Sequence, residues 1–185
     1  GLNVFRYITF RAALAAVTAF LISIIFGKFL IGFLKRWHFR QYVRSEKDAP
    51  GIYHLHKQKE GTPTMGGLLI VAAIVIAVVL WADLTNEFIV LSLISTVWLA
   101  GVGFIDDYLK VVKKKSRGLG APAKFLGQIL LGLGVAIYLY FFMDAGARLD
   151  IPFFKNLSVM LGLLYIPFVV VVIVGTSNAV NLTDG

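Results

Sequence analysis

Two adjacent carboxylates, Asp106 and Asp107, are the residues of this chain whose type and position most directly suggest chemistry. They follow the uncharged apolar run 88–105, and ionisable groups at a membrane boundary are costly unless they are used. Two oxygen ligands with no His or Cys nearby suit Mg²⁺ or Mn²⁺ held jointly with a substrate phosphate. The pair could equally end a helix and form ion pairs with the lysines that follow it. The pair alone leaves both interpretations open.

Five basic residues follow the aspartates, and one of them is placed to act with them. Lys110 lies three and four positions after the pair, so it shares their face if the helix continues. The other four are typical of a segment that contacts anionic lipid headgroups or fixes the orientation of a membrane protein. These four are Lys113, Lys114, Lys115 and Arg117.

A second polar stretch, Lys57-Gln-Lys-Glu-Gly-Thr-Pro-Thr-Met-Gly-Gly67, leads into another apolar run. Its glycines allow close backbone approach, and the hydroxyl of Thr64 can bond a phosphate or cap the next helix. Helix capping is therefore a sufficient explanation for the threonine, but it does not explain Lys59. The stretch is not a Walker A loop, because no Gly-Lys-Ser/Thr ends it.

A third polar stretch, Gly175-Thr-Ser-Asn-Ala-Val-Asn-Leu-Thr-Asp-Gly185, follows a run of Val and Ile. Asn178 and Asn181 are three positions apart and lie on one side of a helix. Their amides can bond a nucleobase, a ribose or a sugar amide, and Asp184 can bond a hydroxyl or a metal. Ordinary helix termination by Asn and Gly is the alternative.

The elements that position these stretches are predicted to be membrane helices. The chain is 58% hydrophobic and 15% charged, with a mean hydropathy of +0.82, whereas soluble domains carry roughly a quarter charged residues. Runs this long without a polar face argue against buried helices of a soluble protein. We expect an all-α polytopic membrane protein, with residues 1–185 forming one membrane domain. The predicted helices span about 12–34, 65–82, 88–105, 125–143 and 159–180.

Basic residues predict the orientation of these helices. The links 35–64 and 106–124 carry seven and six Lys or Arg, whereas the links 83–87 and 144–158 carry none and two. Positive residues favour the cytoplasmic side, so we expect an external N-terminus and all three polar stretches on the cytoplasmic face. The outer link 144–158 mixes Gly and Pro with apolar pairs, which favours a short periplasmic hairpin at the membrane surface.

Because the basic residues flank membrane segments, the net charge of +8 does not indicate a nucleic-acid partner. The absence of cysteine excludes disulfides and thiolate chemistry.

These stretches, in this order and spacing, resemble the polyprenyl-phosphate N-acetylhexosamine-1-phosphate transferase superfamily. The resemblance is to the N-terminal half of its phospho-N-acetylmuramoyl-pentapeptide transferase branch, which has about ten transmembrane helices. It is carried by Glu60-Gly-Thr-Pro-Thr-Met-Gly-Gly67, Gly103-Phe-Ile-Asp-Asp-Tyr108 with Lys110, and Asn178-Ala-Val-Asn-Leu-Thr-Asp-Gly185. A later metal-binding Asp and a His-rich loop of the family lie beyond these motifs, so the chain alone is not expected to be active.

The resemblance implies an enzyme of the bacterial inner membrane whose active site is on the cytoplasmic face. It implies Mg²⁺-dependent transfer of phospho-MurNAc-pentapeptide from UDP-MurNAc-pentapeptide to undecaprenyl phosphate, which gives lipid I and UMP in peptidoglycan biosynthesis. A homodimer surrounded by membrane lipids is also implied. Asp106 and Asp107 would be catalytic and would bind the metal with a further Asp, and Asp106 would deprotonate or orient the lipid phosphate. The implied substrate-binding residues are Lys59, Thr64, Lys110, Lys124, Asn178, Asn181 and Asp184.

Two other functions are consistent with parts of the pattern. A related transferase could use UDP-GlcNAc in place of the muramoyl nucleotide, and the His-rich loop is the feature that distinguishes the two. Half of a membrane transporter would instead carry ionisable groups near the bilayer centre. Only Lys28 lies inside a predicted helix, which disfavours transport.

Overall fold

The computed structural model describes residues 3–36, 66–113, 118–143, 147–151, 153–154 and 157–183. They form two compact units, residues 1–119 and 120–185, and each unit is described by itself. In chain order the main elements are α1 (Ile8–Arg36), α2 (Gly66–Trp81), α3 (Glu87–Val111), α4 (Ala121–Phe142), β1 (Arg148–Asp150), β2 (Ser158–Met160) and α5 (Tyr165–Thr183). Short 3₁₀ helices occupy Asn3–Arg6 and Gly162–Leu164.

The predicted all-α polytopic class is confirmed. Within the described residues, four helical segments are long and apolar enough to cross a membrane: Ile8–Phe33, Glu87–Val111, Ala121–Phe142 and Gly162–Val180. The 16-residue α2 is also apolar but shorter, about 24 Å against a hydrocarbon core of about 30 Å. The chain is therefore part of an integral membrane protein. The fifth crossing and the external N-terminus stay predictions.

In the first unit, α2 packs against α1 through small residues. Ala73 and Ala77 are one turn apart and both are 1% exposed, so the two helix backbones approach closely along this face. At the far end of α2, Arg11 Nε donates to the carbonyl oxygen of Trp81, and Trp81 Nε1 donates to Thr18 Oγ1 at 2.9 Å. A cation on a terminal carbonyl complements the negative end of the helix dipole and ties α1 to α2.

A short turn connects α2 to α3. Asn86 caps α3 by accepting a hydrogen bond from Phe88 N at 3.0 Å. Hydrogen bonds from the hydroxyl and backbone N–H of Thr85 lower the pKa of the Asp83 carboxyl below its usual value of 3.8. The turn is thus fixed by local side-chain contacts rather than by packing.

The predicted end of the third helix at Ile105 is wrong, because α3 continues to Val111. Asp106 and Asp107 are therefore helical residues and not the start of a loop. An ion pair one turn apart, Asp106 with Lys110, supports this continuation. The predicted loop 106–124 is also too long at its other end, because α4 begins at Ala121 with Pro122 in its first turn, where proline is well tolerated.

In the second unit, α4 packs against α5 at Gly132, which is buried. The strands β1 and β2 pair antiparallel, with Leu149 opposite Val159. The predicted hairpin is confirmed, whereas its location at the membrane surface stays a prediction. The predicted fifth helix began at 159, which is wrong: residues 158–160 form β2, and α5 begins at Tyr165. Gly162 adopts φ +54 between the strand and the helix.

Candidate active site

Asp106 is a buried carboxylate with a defined partner on each oxygen. It is 5% exposed within α3. Lys110 Nζ donates to Oδ2 at 2.6 Å, and the backbone N–H of Leu119 donates to Oδ1 at 2.7 Å. The prediction that Lys110 lies on the helix face of the aspartates is confirmed for Asp106. Charge-assisted hydrogen bonds of this kind are the strong ones, so they hold the carboxylate in one orientation.

Asp107 has a different environment, although it is the next residue. Successive side chains of an α-helix point about 100° apart, so the two carboxylates face different directions. Asp107 is partly exposed and lines a cavity of about 180 Å³ between α2 and α3. The other lining residues are small or apolar: Gly67, Leu68, Val71, Ala100, Gly103 and Phe104. The last glycine of the Gly-Thr-Pro-Thr-Met-Gly-Gly stretch therefore meets Asp107 at one cavity.

One residue of this cavity, Asp107, has an oxygen ligand of the kind that Mg²⁺ prefers. Mg²⁺ is usually bound by one or two carboxylates together with substrate phosphates and water, and the partly exposed Asp107 provides such an oxygen ligand. The oxygens of Asp106 accept hydrogen bonds from Lys110 and Leu119. Within the described part of the chain, no group of three or more acidic, His or Cys side chains occurs.

In the second unit, a polar cluster holds Asn178. Its Nδ2 donates to Gln128 Oε1 at 2.7 Å and to the Val174 carbonyl oxygen at 2.7 Å. Gln128 Nε2 in turn donates to Ser177 Oγ at 3.1 Å. Both hydrogens of the Asn178 amide are then used, so its Oδ1 is the atom placed to accept a hydrogen bond from a nucleobase or sugar N–H.

Gln128 is a member of this cluster that the motifs did not predict, although its place in the sequence indicates a buried contact. It is a single amide inside the otherwise apolar run 125–143, and it is 6% exposed. An uncharged polar side chain among apolar helix residues usually forms an interhelical hydrogen bond. Its bonds to Ser177 and Asn178 are such contacts between α4 and α5.

Five predicted site residues remain, and two of them lie in described helices. Lys124 lies in the first turn of α4, where it is partly exposed. Asn181 lies near the end of α5. Lys59, Thr64 and Asp184 lie outside the described residues.

The sequence of this chain is similar to those of known proteins. Residues 88–185 match the family model described as Glycosyl transferase family 4, and residues 59–71 match Phospho-N-acetylmuramoyl-pentapeptide-transferase signature 1. The chain belongs to glycosyl transferase family 4. The family match includes both aspartates, Lys110 and the Asn178 cluster, and the signature includes Lys59, Thr64 and Gly67.

The relatives within glycosyl transferase family 4 are alike in name. The chain is similar to the Phospho-N-acetylmuramoyl-pentapeptide-transferase of Desulforapulum autotrophicum, at 49% identity over 99% of this chain and 50% of the relative. The protein of the same name from Solidesulfovibrio magneticus is 48% identical over 100% of this chain and 50% of the relative. That of Thermodesulfovibrio yellowstonii is 45% identical over the same shares. The chain thus spans about half the length of the curated relatives it matches, and its resemblance to this branch of the family is confirmed.

Proposed function

We propose that the complete protein transfers phospho-MurNAc-pentapeptide from UDP-MurNAc-pentapeptide to undecaprenyl phosphate. An oxygen of the lipid phosphate attacks the sugar-linked phosphorus, the bond from that phosphorus to the bridging oxygen breaks, and UMP leaves with that oxygen. The products are lipid I and UMP. The structural observation that carries this proposal is the placement of Asp107 at an apolar cavity beside an Asp106 already paired with Lys110.

Charge balance explains why such a pair suits the reaction. Two anionic substrates must approach each other, so phosphoryl transfer depends mainly on positioning and on positive charge around the phosphates. Lys110 offsets the charge of Asp106, so the Asp107 carboxylate can bind a cation without a full second negative charge beside it. Mg²⁺ bound at Asp107 would neutralise charge on the transferring phosphoryl group.

The lining of the cavity favours the lipid substrate over the nucleotide. Leu68, Val71 and Phe104 offer apolar contacts, and a uridine or a sugar would leave its polar groups unpaired against them. The volume of about 180 Å³ exceeds that of an engineered apolar cavity of about 150 Å³ that binds benzene. It therefore fits the isoprenoid carbons next to the lipid phosphate. Asn178, with its oriented amide oxygen, suits the nucleoside or the sugar.

The test is Mg²⁺-dependent UMP release by the complete protein in detergent. Asp107→Asn keeps the shape of the side chain but removes its charge, and we expect the rate to fall at least about 100-fold, as for a removed transition-state contact. Asp150→Asn is the matched control, because Asp150 is an exposed hairpin carboxylate, and it should keep the wild-type rate. Retention of more than about a tenth of the rate by Asp107→Asn, a loss under roughly 1.4 kcal/mol, would rule out this role.

The same assay distinguishes the rival donor. UDP-MurNAc-pentapeptide and UDP-GlcNAc are supplied separately, and we expect UMP release only with the muramoyl nucleotide. Turnover of UDP-GlcNAc alone would assign the protein to the other group of transferases. Orientation is tested separately, by labelling single cysteines in sealed vesicles after any cysteine outside residues 1–185 has been replaced; these 185 residues contain none. A cysteine at 84, in the turn before α3, should react from the outside.

A further inference from the structure

A backbone segment thirteen residues after Asp106 returns to its carboxylate. The N–H of Leu119 donates to Oδ1 at 2.7 Å, while Lys110 Nζ donates to Oδ2 at 2.6 Å. One partner thus comes from the next turn of α3 and the other from beyond the helix. Because the Asp106 side chain is only 8% exposed, water competes little for either oxygen.

Gly118 makes this return possible in two ways. Its φ of +58 lies in the left-handed region, which residues with a Cβ rarely adopt. A Cβ at this position would collide with Asp106 Oδ1 and would lie 2.6 Å from Lys110 Cε and 2.9 Å from Lys110 Cγ. The segment therefore packs directly on both members of the ion pair, with no room for a side chain.

We propose that the Gly118–Leu119 segment is a positioning element that fixes Asp106 and Lys110, so that Asp107 is the carboxylate presented to the cavity. The role in catalysis rests on the proposed function, whereas the hydrogen bond itself does not. Without the segment, Asp106 loses a partner for one oxygen. Lys110 lies three residues after Asp107, so it can then swing toward that carboxylate instead. An ion pair there would change the orientation and offset the charge of the carboxylate that the proposed reaction uses.

Gly118→Ala in the complete protein tests the catalytic part. We expect kcat to fall about 10- to 100-fold, as for the loss of a hydrogen bond to a charged group, with KM for both substrates within about threefold. Gly120→Ala is the matched control, because an added Cβ there meets only Pro122 Cδ, at 3.7 Å. It should keep the wild-type kcat. A folding defect in Gly118→Ala is recognised separately, because it would change the unfolding transition of the protein as well as kcat.

Amide hydrogen exchange of Leu119 tests the structural part without any turnover. The measurement uses overlapping peptides that resolve this amide in the wild type, in Gly118→Ala and in Asp106→Ala. We expect exchange at least about 10-fold faster in both variants, since a lost hydrogen bond of about 1.4 kcal/mol corresponds to a factor of ten. If Gly118→Ala does not fold, Asp106→Ala and the wild type decide this part. Equal exchange in wild type and Asp106→Ala overturns the inference.

The outcomes separate this inference from the proposed function. If Asp107→Asn is inactive while Gly118→Ala keeps kcat within about threefold of wild type, the positioning role is wrong and the function stands. If Asp107→Asn remains active, the proposed function fails, and Leu119 exchange alone decides whether the segment holds Asp106. The inference and the proposed function are both supported by one set of results. Asp107→Asn is inactive, Gly118→Ala loses kcat and exchanges Leu119 faster, and Gly120→Ala keeps the wild-type kcat.

Discussion

Replacement of Gly132 by alanine should destabilise the contact between α4 and α5. A Cβ at this position would lie 3.0 Å from the Cα of Val170, 3.3 Å from its Cγ2 and 3.5 Å from its Cβ. Non-bonded carbon atoms prefer separations of about 3.5–4.0 Å. Since the nearest atom belongs to the backbone of α5, a side-chain rotation cannot relieve the contact, and the helices must move apart by several tenths of an ångström.

Two opposing effects set the magnitude. Overpacking of a well-packed interface costs typically about 1–3 kcal/mol. Alanine in place of glycine inside a helix contributes about 0.5–1 kcal/mol in the other direction. Gly134, on the same helix, has nothing within 4 Å of an added Cβ, so Gly134→Ala gains the helix term alone. The difference between the two variants therefore isolates the steric cost, and we expect Gly132→Ala to be less stable than Gly134→Ala by about 1–3 kcal/mol.

The assay is reversible unfolding of the complete protein in mixed detergent micelles. A third variant, Gly132→Ala with Val170→Ala, removes Cγ2 but leaves the Cα of residue 170 in place. It should recover only part of the loss, because the 3.0 Å contact is with the backbone. Equal stability of Gly132→Ala and Gly134→Ala, or complete recovery in the double variant, would refute the close approach of α4 and α5 at this position.

Two further substitutions test the site. Gln128→Leu removes the hydrogen bonds to Ser177 and Asn178, and we expect a loss of about 1–3 kcal/mol in the same unfolding assay, with a raised KM for the nucleotide sugar if the Asn178 amide contacts it. An unchanged stability would argue against the cluster. Gly103→Leu fills the cavity beside Asp107, whereas Gly101→Leu, also with open space around its Cβ, does not line it. The first should raise KM for the lipid phosphate about 10-fold or more and the second should not, as measured by UMP release at varied lipid concentration; equal effects would exclude the cavity as the lipid site.

Long apolar runs made the fold predictable, and the ends of the helices were the part that sequence patterns located poorly. The change from apolar to charged residues at Asp106 suggested a helix end, but charged residues do not stop a helix. Because Asp106 and Lys110 are four apart, their pairing extends α3 by a further turn. The short segment 158–160 is compatible with either a helix or a strand. Its pairing with 148–150 decides in favour of the strand.

The site was predictable in its residues but not in their separate environments. The sequence places Asp106 and Asp107 side by side, and nothing in their spacing distinguishes one from the other. The distinction comes from Leu119, whose backbone N–H donates a hydrogen bond to Asp106. A contact between a backbone group and a side chain thirteen residues away leaves no trace in residue type, apart from the neighbouring Gly118, whose φ of +58 the fold requires.

The proposed function therefore gives the two adjacent aspartates different tasks rather than one shared task. The 100° step between neighbours turns one carboxylate inward, where Lys110 and Leu119 hold it, and turns the other toward the cavity. Loss of activity on substitution of either residue would not show that both touch the substrate. Substitution of Asp106 releases Lys110, which can then pair with Asp107, whereas substitution of Asp107 removes the exposed oxygen itself. The double variant, Asp106→Asn with Asp107→Asn, should consequently have nearly the same rate of UMP release as Asp107→Asn alone. Two residues that both act through the Asp107 carboxylate do not contribute additively.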